Sequence, residues 1–427
     1  MFKKLKGRFA ENKSKNERTV ISYEDVPLDD YEQEPARISL EVIKKILIGV
    51  LGALLLAVIV FAFAFRDKLT WNNISVWWNY ELMGAPSSGY PVNIVGSDVA
   101  QGNVAVTQNR VAYASDTSFV TLNSKGGEVN NTQLRYTKPV MKSAENRFLI
   151  FGLGEKNYQL ATFDKNGYSG TAAGNIYAGD VAPNGKYCLA VEGNGFYSEL
   201  YAYDADNNRV YKYSFSEYYI NSVAINMNGT GCIASGISNN NGEIKTGVYM
   251  LDFSKEEPVG KYEIDGDYII DSRFISGGRC ALVGANASYV AMMDEDVVVK
   301  VEYEGKTLKN YSFNTSVETF SLALSKSGDG RQCDLITYND NGVAVFTADS
   351  NAGSDSVSAY RNTVATMDNN TIYIYNKTGE LRGTCFAGSG ARRLILFSDD
   401  EAYVLSVTQI RKINLRDTES TADSAVG

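Results

Sequence analysis

The chain has 427 residues, a formal net charge of −9 and no histidine. Without an imidazole, the chain cannot use histidine acid–base catalysis, Ser-His-Asp or Cys-His nucleophile pairs, histidine haem ligation or most zinc sites. The acidic balance argues against nucleic acid as a partner, because nucleic-acid-binding surfaces are normally basic.

The first 45 residues are polar and change character along their length. They carry ten Lys/Arg and nine Asp/Glu, with the basic residues crowded before about Val20 and the acidic ones after it. Because few apolar residues are available to build a core, we expect residues 1–45 to form a mostly disordered tail. Such a tail could recruit a cytoplasmic partner.

Twenty uninterrupted apolar residues follow, from Ile46 to Phe65. At a rise of about 1.5 Å per residue they span roughly 30 Å, the thickness of a bilayer's hydrocarbon core. A buried core helix is seldom apolar on every face for this length. The sequence therefore predicts one transmembrane helix at residues 46–65, with the lipid bilayer as its partner. Gly49, Ala53 and Ala57 share one helix face, which indicates either a helix-mediated homodimer or an incidental pattern.

The charges beside this run favour a cytoplasmic N-terminus. Lys44 and Lys45 precede the run, and after Lys68 the next basic residue is Arg110. A cleaved signal peptide is the alternative, but 45 leading residues are too many for one. We therefore expect an uncleaved signal anchor in the cell membrane, with residues 66–427 outside the cytoplasm.

All three tryptophans lie directly after the apolar run, at Trp71, Trp77 and Trp78. Indole rings favour the membrane–water boundary. Residues 66–89 are thus expected to form an interfacial or stalk helix that ends in a linker rich in glycine, proline and serine.

Short β-prone segments recur from about residue 90 onwards. Four cysteines share one local frame, each just after a glycine turn, and other residues hold the same place elsewhere. The eight frame residues are spaced by 31 to 53 positions and are Val111, Phe148, Cys188, Cys232, Cys280, Cys333, Val364 and Tyr403. A repeat of this length with several short strands is typical of a β-propeller.

One unit, residues 176–216, shows the strands most clearly. The expected strands are Tyr177–Ala182, Tyr187–Val191, Glu199–Asp204 and Arg209–Phe215. We predict an all-β fold, a β-propeller of eight blades over residues 90–415, followed by a disordered tail at 416–427. Seven blades are the alternative, because residues 342–360 are hard to divide.

The last unit holds only three expected strands. A fourth could come from Tyr90–Val95, ahead of the first unit. Closing the ring with strands from both ends would remove the open sheet edge.

The units Tyr177–Phe215 and Tyr219–Ile264 resemble WD40-like or quinoprotein-like propeller repeats. The whole layout resembles single-pass, propeller-bearing membrane proteins of unknown function from Gram-positive bacteria. The chain departs from the named repeat families because it has neither a Trp-Asp dipeptide nor the tryptophan docking motif. Cofactor residues of those families therefore cannot be transferred to it.

The sequence predicts no catalytic residues, no metal site and no cofactor. Equivalent cysteines in separate blades should lie too far apart for disulfides, so we interpret them as small core residues. Cys385 lies outside the frame and is also expected to form no disulfide. The acidic stretch Asp204–Asn208 is expected to be a hairpin turn and not a calcium loop. An enzyme using only carboxylates stays an alternative, although no pair stands out.

Five aromatic residues precede the frame positions in register and are candidates for ligand binding. They are Tyr136, Tyr177, Tyr219, Tyr268 and Phe320. Each is expected where the chain enters the innermost strand of a blade, around one mouth of the central channel. The alternative is repeated packing between blades.

These patterns together favour a membrane-tethered binding or scaffolding module for proteins or glycans of the cell envelope. The first alternative is a transmembrane sensor that relays ligand binding through its cytoplasmic tail. The second is an envelope enzyme.

Overall fold

The computed structural model describes residues 40–64, 88–240, 242–327 and 330–416. The chain divides into two units, Met1–Leu69 and Thr70–Gly427, and each is described by itself. Most of the predicted cytoplasmic tail, nearly all of the predicted stalk and linker, and all but the first residue of the predicted C-terminal tail lie outside the described residues.

Within the described part of the first unit lies one helix, α1, at Leu40–Ala64. It contains all but the last residue of the apolar run, and no proline interrupts its backbone hydrogen bonds. Its large apolar side chains between Ile46 and Val60 are exposed. Over its described residues, the molecule has no helix that is both long and apolar enough to cross a membrane.

The second unit contains eight four-stranded antiparallel sheets, which are the blades of a propeller. The first four blades consist of β2 (Val104–Thr107), β3 (Arg110–Ala114), β4 (Ser118–Leu122) and β5 (Glu128–Gln133); β6 (Pro139–Ala144), β7 (Arg147–Gly152), β8 (Asn157–Thr162) and β9 (Asn166–Thr171); β10 (Ile176–Val181), β11 (Tyr187–Glu192), β12 (Ser198–Tyr203) and β13 (Arg209–Phe215); and β14 (Tyr219–Ile225), β15 (Gly231–Asn240), β16 (Glu243–Asp252) and β17 (Gly260–Asp265).

The remaining four blades have the same order. They consist of β18 (Ile269–Phe274), β19 (Arg279–Gly284), β20 (Ala287–Met292) and β21 (Val297–Glu302); β22 (Thr307–Asn314), β23 (Thr319–Ser325), β24 (Cys333–Asn339) and β25 (Ala344–Ser350); β26 (Ser356–Tyr360), β27 (Thr363–Asp368), β28 (Thr371–Asn376) and β29 (Leu381–Phe386); and β30 (Ala391–Leu396), β31 (Glu401–Ser406) and β32 (Gln409–Asn414) with β1 (Val92–Asn93).

The predicted all-β propeller is thus confirmed, with eight blades and not seven. In the third blade the four expected strands agree with β10 to β13 to within one residue at each end. The difficult stretch at residues 342–360 contains the outermost strand of the sixth blade, β25, and the innermost strand of the seventh, β26.

The ring closes as the sequence predicts, because the first and last strands share a blade. β1 pairs with β32, through Val92 opposite Ile410 and Asn93 opposite Gln409. Just before β1, the ring of Tyr90 lies 5.1 Å from that of Tyr403 in β31. A strand from near residue 90 therefore covers the edge that the eighth blade would otherwise expose.

Apolar side chains fill the spaces between blades. Among the described residues they form eight clusters, and each cluster joins two neighbouring blades. Middle strands such as β11 and β12 are buried almost throughout, because both of their faces meet another blade. The outermost strand β13 instead mixes exposed, half-buried and buried residues. Packing between blades is therefore what holds the ring together.

Four of the five cysteines are fully buried thiols, which confirms that they are core residues. Cys188 and Cys232 belong to one cluster between the third and fourth blades, where their thiols are neighbours. Burial, followed by the influence of Cys232, raises the pKa of Cys188 well above its ordinary value. The Cys188 thiol is therefore not prone to ionise.

The repeat frame was wrong at one position, Cys333. The other frame residues lie in the second strand of their blades, but Cys333 begins the third strand of the sixth blade, β24. The hairpin between β22 and β23 turns without glycine, since Glu318 adopts the positive φ of 55° there. The glycine ahead of Cys333, Gly330, lies instead in the loop between β23 and β24.

The acidic stretch at Asp204–Asn208 is a hairpin turn, as the sequence predicts. One carboxylate oxygen of Asp204 accepts hydrogen bonds from the backbone N–H groups of Asp206 and Asn208, at 2.9 and 2.8 Å. Asn207 supplies the positive φ of 68°. The carboxylate of Asp204 thus stabilises the turn.

Candidate functional site

The innermost strands of the blades surround a central channel. They all begin on one face of the ring, here called the top, and end on the other, the bottom. Five of them bulge at the same place near the top, and a bulge turns its extra side chain out of the ladder. The bulged residues are Tyr177, Asn221, Ile270, Lys309 and Arg392.

Three residues of the predicted aromatic ring lie at this top mouth. Tyr177 is the bulged residue of β10, Tyr219 is the first residue of β14, and Tyr268 directly precedes β18. Tyr219 is 52% exposed and Tyr268 43% exposed. Their expected placement is therefore confirmed, while ligand binding by them stays a prediction.

Tyr136 lies ahead of β6 but packs between blades. It is partly buried against the cluster that joins the first and second blades. Burial, with a smaller contribution from Glu155, raises the pKa of its hydroxyl to about 12. The surroundings of Tyr136 match the packing alternative.

The expected placement of Phe320 at a strand beginning was wrong. Phe320 is the second residue of the second strand β23, only 1% exposed, and its ring stacks on that of Tyr338 at 5.2 Å between centroids. Phe320 lies opposite Phe313 of the innermost strand, just as Cys280 of the fifth blade lies opposite Phe274. Phe320 therefore holds in the sixth blade the position that Cys280 holds in the fifth. Phe320 was expected at the start of an innermost strand because the repeat frame placed the sixth unit at Cys333.

Other exposed apolar side chains extend the top mouth beyond the predicted tyrosines. Phe196 and Tyr197 lie in the loop between β11 and β12, and the ring of Tyr197 meets that of Tyr219 edge-on at 4.7 Å. Ile237 pairs with Tyr219 across the β14–β15 ladder. We define the mouth patch as these side chains together with two neighbours from the fifth blade: Phe196, Tyr197, Tyr219, Ile237, Tyr268 and Ile270.

Beside the mouth patch, a cavity of about 230 Å³ occupies the channel. Innermost strands of the second to sixth blades line it. Its polar lining side chains are Lys142, Tyr177, Asn221, Ser222, Asp271 and Tyr311. Apolar side chains, among them Val140, Phe151 and Ile270, complete the wall.

Charged side chains cross the channel at this level. The Lys142 ammonium lies 2.8 Å from one carboxylate oxygen of Asp271, and the Tyr311 hydroxyl donates to the other at 3.4 Å. Burial raises the pKa of Asp271, but the charge and hydrogen bond of Lys142, the N–H of Ser272 and the charge of Arg273 together outweigh it, so that this pKa lies below its usual value. The second, fifth and sixth blades are thereby linked across the axis.

A second ion pair lies nearby in the channel. The Arg273 guanidinium is 3.5 Å from a carboxylate oxygen of Asp180, and it also donates to the backbone carbonyl of Ser143. The other carboxylate oxygen of Asp180 accepts from the N–H of Ile225 at 3.1 Å. Burial raises the pKa of Asp180, and the cations Arg273 and Lys142 only partly oppose it.

Reasoning from the repeats missed these channel residues. The available signal was a charge directly after two apolar residues of a strand, as at Lys142 after Met141 or Asp271 after Ile270. In the part of the chain that the structure describes, no three acidic or thiol side chains gather closely enough to hold a metal ion. The absence of metal, cofactor and catalysis stays a prediction.

Comparisons with known proteins supply a family and a structural likeness. The profile of a family of unknown function (DUF5711) matches residues 90–415. Among solved structures, the crystal structure of BamB from Moraxella catarrhalis is similar at a TM-score of 0.46 and 11% identity, over 76% of this chain and 97% of that chain. No curated protein matches the chain.

Proposed function

Since the chain belongs to the family of unknown function DUF5711, we propose a function from the top mouth itself. The protein is a binding scaffold whose mouth patch docks a partner protein outside the cytoplasm. One observation carries this proposal, namely a group of exposed aromatic and aliphatic side chains at one end of the channel.

The mouth patch has the composition of a protein interface. Four of its six side chains are Phe or Tyr, which are enriched at the centres of interfaces and contribute strongly to binding energy there. Tyr197 and Tyr219 contact each other, so their rings are already ordered before a partner arrives. Ordering in advance lowers the entropic cost of binding.

A protein suits this surface better than a glycan does. Sugar rings stack on flat aromatic faces between hydrogen-bonding groups. Here Ile237 and Ile270 lie among the aromatic rings and are 37% and 41% exposed. Branched aliphatic side chains favour the apolar surface of a protein partner.

We further propose that the run Ile46–Phe65 anchors the protein in the cell membrane, with the propeller outside. Twenty apolar residues without a charge support the anchor, and the bias of basic residues supports the orientation. The apolar side chains that α1 exposes are stabilised when they leave water, and the lipid bilayer is an apolar environment. The anchor would keep the propeller attached to the membrane.

The docking proposal is tested by site-specific crosslinking in intact cells. A photoreactive amino acid replaces Tyr219 in the mouth patch or, as the matched control, Val210 near the bottom. Both positions are about half exposed, at 52% and 48%. We expect one discrete crosslinked protein from position 219 and none of it from position 210.

The captured protein is then purified and its affinity for the full-length protein measured. Replacing both Tyr219 and Tyr268 by Ala should weaken binding by about a hundredfold, since each aromatic anchor contributes about 1–2 kcal/mol. The circular dichroism spectrum should not change, because both side chains are exposed. Unchanged affinity, or equal crosslinking from Val210, would refute docking at the mouth patch.

The orientation is tested with a membrane-impermeant thiol reagent on intact cells. A cysteine replacing the exposed Asp206 should be labelled, whereas one replacing Ser14 in the tail should react only after lysis. Labelling of Ser14→Cys in intact cells would contradict a cytoplasmic tail. Deletion of residues 1–40 should leave partner binding intact in a scaffold, while a sensor would lose its response.

A further inference from the structure

A second cavity, of about 140 Å³, lies between the second and third blades. Arg147, at the beginning of β7, and Asn207, in the β12–β13 turn, both line it, which places it at the bottom of the ring. The other side chains of its wall are mostly apolar or aromatic: Phe148, Leu160, Ala161, Tyr168, Val181 and Ala205.

Arg147 directs its guanidinium across this cavity towards the third blade. The guanidinium carbon lies 3.5 Å from the place that a Cβ of Gly185 would occupy, so it lies against the β10–β11 turn. Within residues 88–240, 242–327 and 330–416, no carboxylate pairs with Arg147. Its N–H donors are therefore available at the cavity wall.

The fifth blade has an arginine at the equivalent position, and that arginine binds carboxylates. Arg279 begins β19 as Arg147 begins β7. Its guanidinium lies 2.6 Å from a carboxylate oxygen of Glu295 and 3.5 Å from one of Asp294, both in the β20–β21 turn. It also donates to the side-chain carbonyl of Asn341 in the next blade, at 3.3 Å. The molecule itself thus shows that an arginine at this position can hold a carboxylate.

The second blade lacks the matching carboxylate. Glu295 comes three residues after the ladder partner of Arg279, and Lys165 comes three residues after the ladder partner of Arg147. A lysine therefore occupies the position of the glutamate. The acidic residue of the same turn, Asp164, accepts a hydrogen bond from a threonine hydroxyl at 2.8 Å and does not pair with Arg147.

Asn207 supplies further donors from the third blade. It lies in the turn before the outermost strand, as Asn341 does in the sixth blade. Its side-chain carbonyl accepts from the Tyr187 hydroxyl at 3.3 Å, which leaves its amide N–H groups for a ligand. Arg147 and Asn207 therefore offer N–H donors to one cavity, and a carboxylate, which only accepts, can satisfy both.

We propose that this bottom cavity binds a carboxylate group, held by the Arg147 guanidinium and the Asn207 amide. The carboxylate of the ligand takes the place that Glu295 fills in the fifth blade. At about 30 Å³ per water, the volume of about 140 Å³ equals about five waters, which suits a carboxylate on a short chain. Leu160 and Tyr168 can cover the methylene groups of that chain.

The carboxylate could come from an acidic side chain of a protein or from a free small acid. The site lies on the face opposite the mouth patch and does not depend on docking there. It is tested by NMR titration of the full-length protein in a mild detergent, with the signals of the probe observed. The probes are N-acetylglutamate α-amide, the corresponding glutamine compound, butyrate and inorganic phosphate.

We expect at least one carboxylate probe to bind. Where the glutamate compound binds, it should do so at least about tenfold more tightly than the uncharged glutamine compound. Binding of butyrate alone would assign a free acid, binding of the glutamate compound alone an acidic side chain, and binding of both would support the site for either source. Equal binding of the glutamate and glutamine compounds, tighter binding of phosphate, or binding of no probe would overturn the proposal.

One pair of variants assigns the ligand to this cavity. Arg147→Gln should weaken carboxylate binding at least about tenfold, because it removes the charge and the fork of donors. Arg279→Gln is the matched control, since carboxylates of its own blade already occupy that arginine. It should leave the affinity unchanged.

A second pair of variants serves if Arg147→Gln fails to fold. Lys165→Glu restores the glutamate of the fifth blade and should fill the site from within, which weakens binding at least about tenfold. Lys255→Glu makes the same change of charge in the β16–β17 turn of the fourth blade, and both lysines are exposed. It should weaken binding by less than about twofold, because salt screens distant charges. Equal weakening by the two glutamates, or wild-type affinity in both Arg147→Gln and Lys165→Glu, would refute the assignment.

Discussion

The spaces between blades and the central channel lie side by side in this propeller, yet they are built from opposite kinds of side chain. Between the blades, eight apolar clusters repeat around the ring. In the channel, Lys142 of the second blade pairs with Asp271 of the fifth, and Arg273 of the fifth blade pairs with Asp180 of the third. The same ladder of strands therefore supports a repeated core and an unrepeated interior.

The difference indicates which region maintains the fold and which is available for function. Apolar packing repeats because every blade faces the same geometric problem at its neighbour. Charges in the channel are costly to bury, and apolar side chains of similar size would often stabilise a fold as well. Their presence in only some blades is typical of a site.

The largest expected effect lies between the blades. Phe148→Ala removes a side chain that is 1% exposed and whose ring lies 5.2 Å from that of Phe119. The free energy of unfolding should fall by about 3–5 kcal/mol. Urea unfolding followed by circular dichroism measures it. Phe386→Ala is the matched control, since Phe386 is 68% exposed and should change stability by under about 0.5 kcal/mol.

A smaller effect is expected where the ring closes. Tyr90→Ala removes the contact with Tyr403 and the hydrogen bond from the Tyr90 hydroxyl to the carbonyl of Asn123, at 3.1 Å. The loss should be about 2–3 kcal/mol, against about 1 kcal/mol for Tyr90→Phe, which loses only the hydrogen bond. Equal losses in the two variants would show that ring packing contributes nothing to closure.

Channel pairs should contribute less than the core. Asp271→Asn leaves Lys142 without its counterion, and we expect a loss of about 1–2 kcal/mol at neutral pH. The side chains of both partners are about one quarter exposed, so water screens part of the attraction. A loss as large as that of Phe148→Ala would contradict the division between core and channel.

The two channel carboxylates should respond to pH with opposite signs. The pKa of Asp271 is lowered on folding, so its contribution is present above the unfolded pKa and is lost as pH falls through the folded one. The pKa of Asp180 is raised, so its contribution is present below the unfolded pKa and is lost as pH rises through the folded one. Unfolding free energies at about pH 7 and pH 3 measure both contributions.

The quantity to compare is the free energy of unfolding at about pH 7 minus that at about pH 3. Relative to wild type, this difference should be smaller in Asp271→Asn and larger in Asp180→Asn. A change of the same sign in both variants would show that the two carboxylates are not in opposite environments.

The smallest effect on stability is expected in the mouth patch. Tyr219→Ala should change the free energy of unfolding by under about 0.5 kcal/mol, because the side chain is 52% exposed. A loss above about 1 kcal/mol would show that Tyr219 is a packing residue after all.

Local patterns were sufficient to predict the blades. Strands of the third blade follow from alternating apolar runs bounded by turn residues such as Asn184-Gly185, where Gly185 adopts a φ of 88°. The repeat frame is wrong at Cys333, because Glu318 forms the preceding hairpin without glycine. Phe320 was misplaced for the same reason.

The candidate site could be predicted only in part. Tyr219 and Tyr268 were found because they recur in register with the repeat. Ile237 and Ile270 were missed because an exposed isoleucine looks like any strand residue in the sequence.

The sequence by itself determined the apolar run, the eight-bladed ring and its closure by both chain ends. Each of these rests on patterns within a few residues or on a regular repeat. Only the tertiary structure decided what occupies the channel. Lys142 and Asp271 are 129 residues apart in the chain, and nothing local relates them. They meet because the ring brings innermost strands of different blades to one axis. The attraction between charges depends on their distance in space and not on their separation in the sequence.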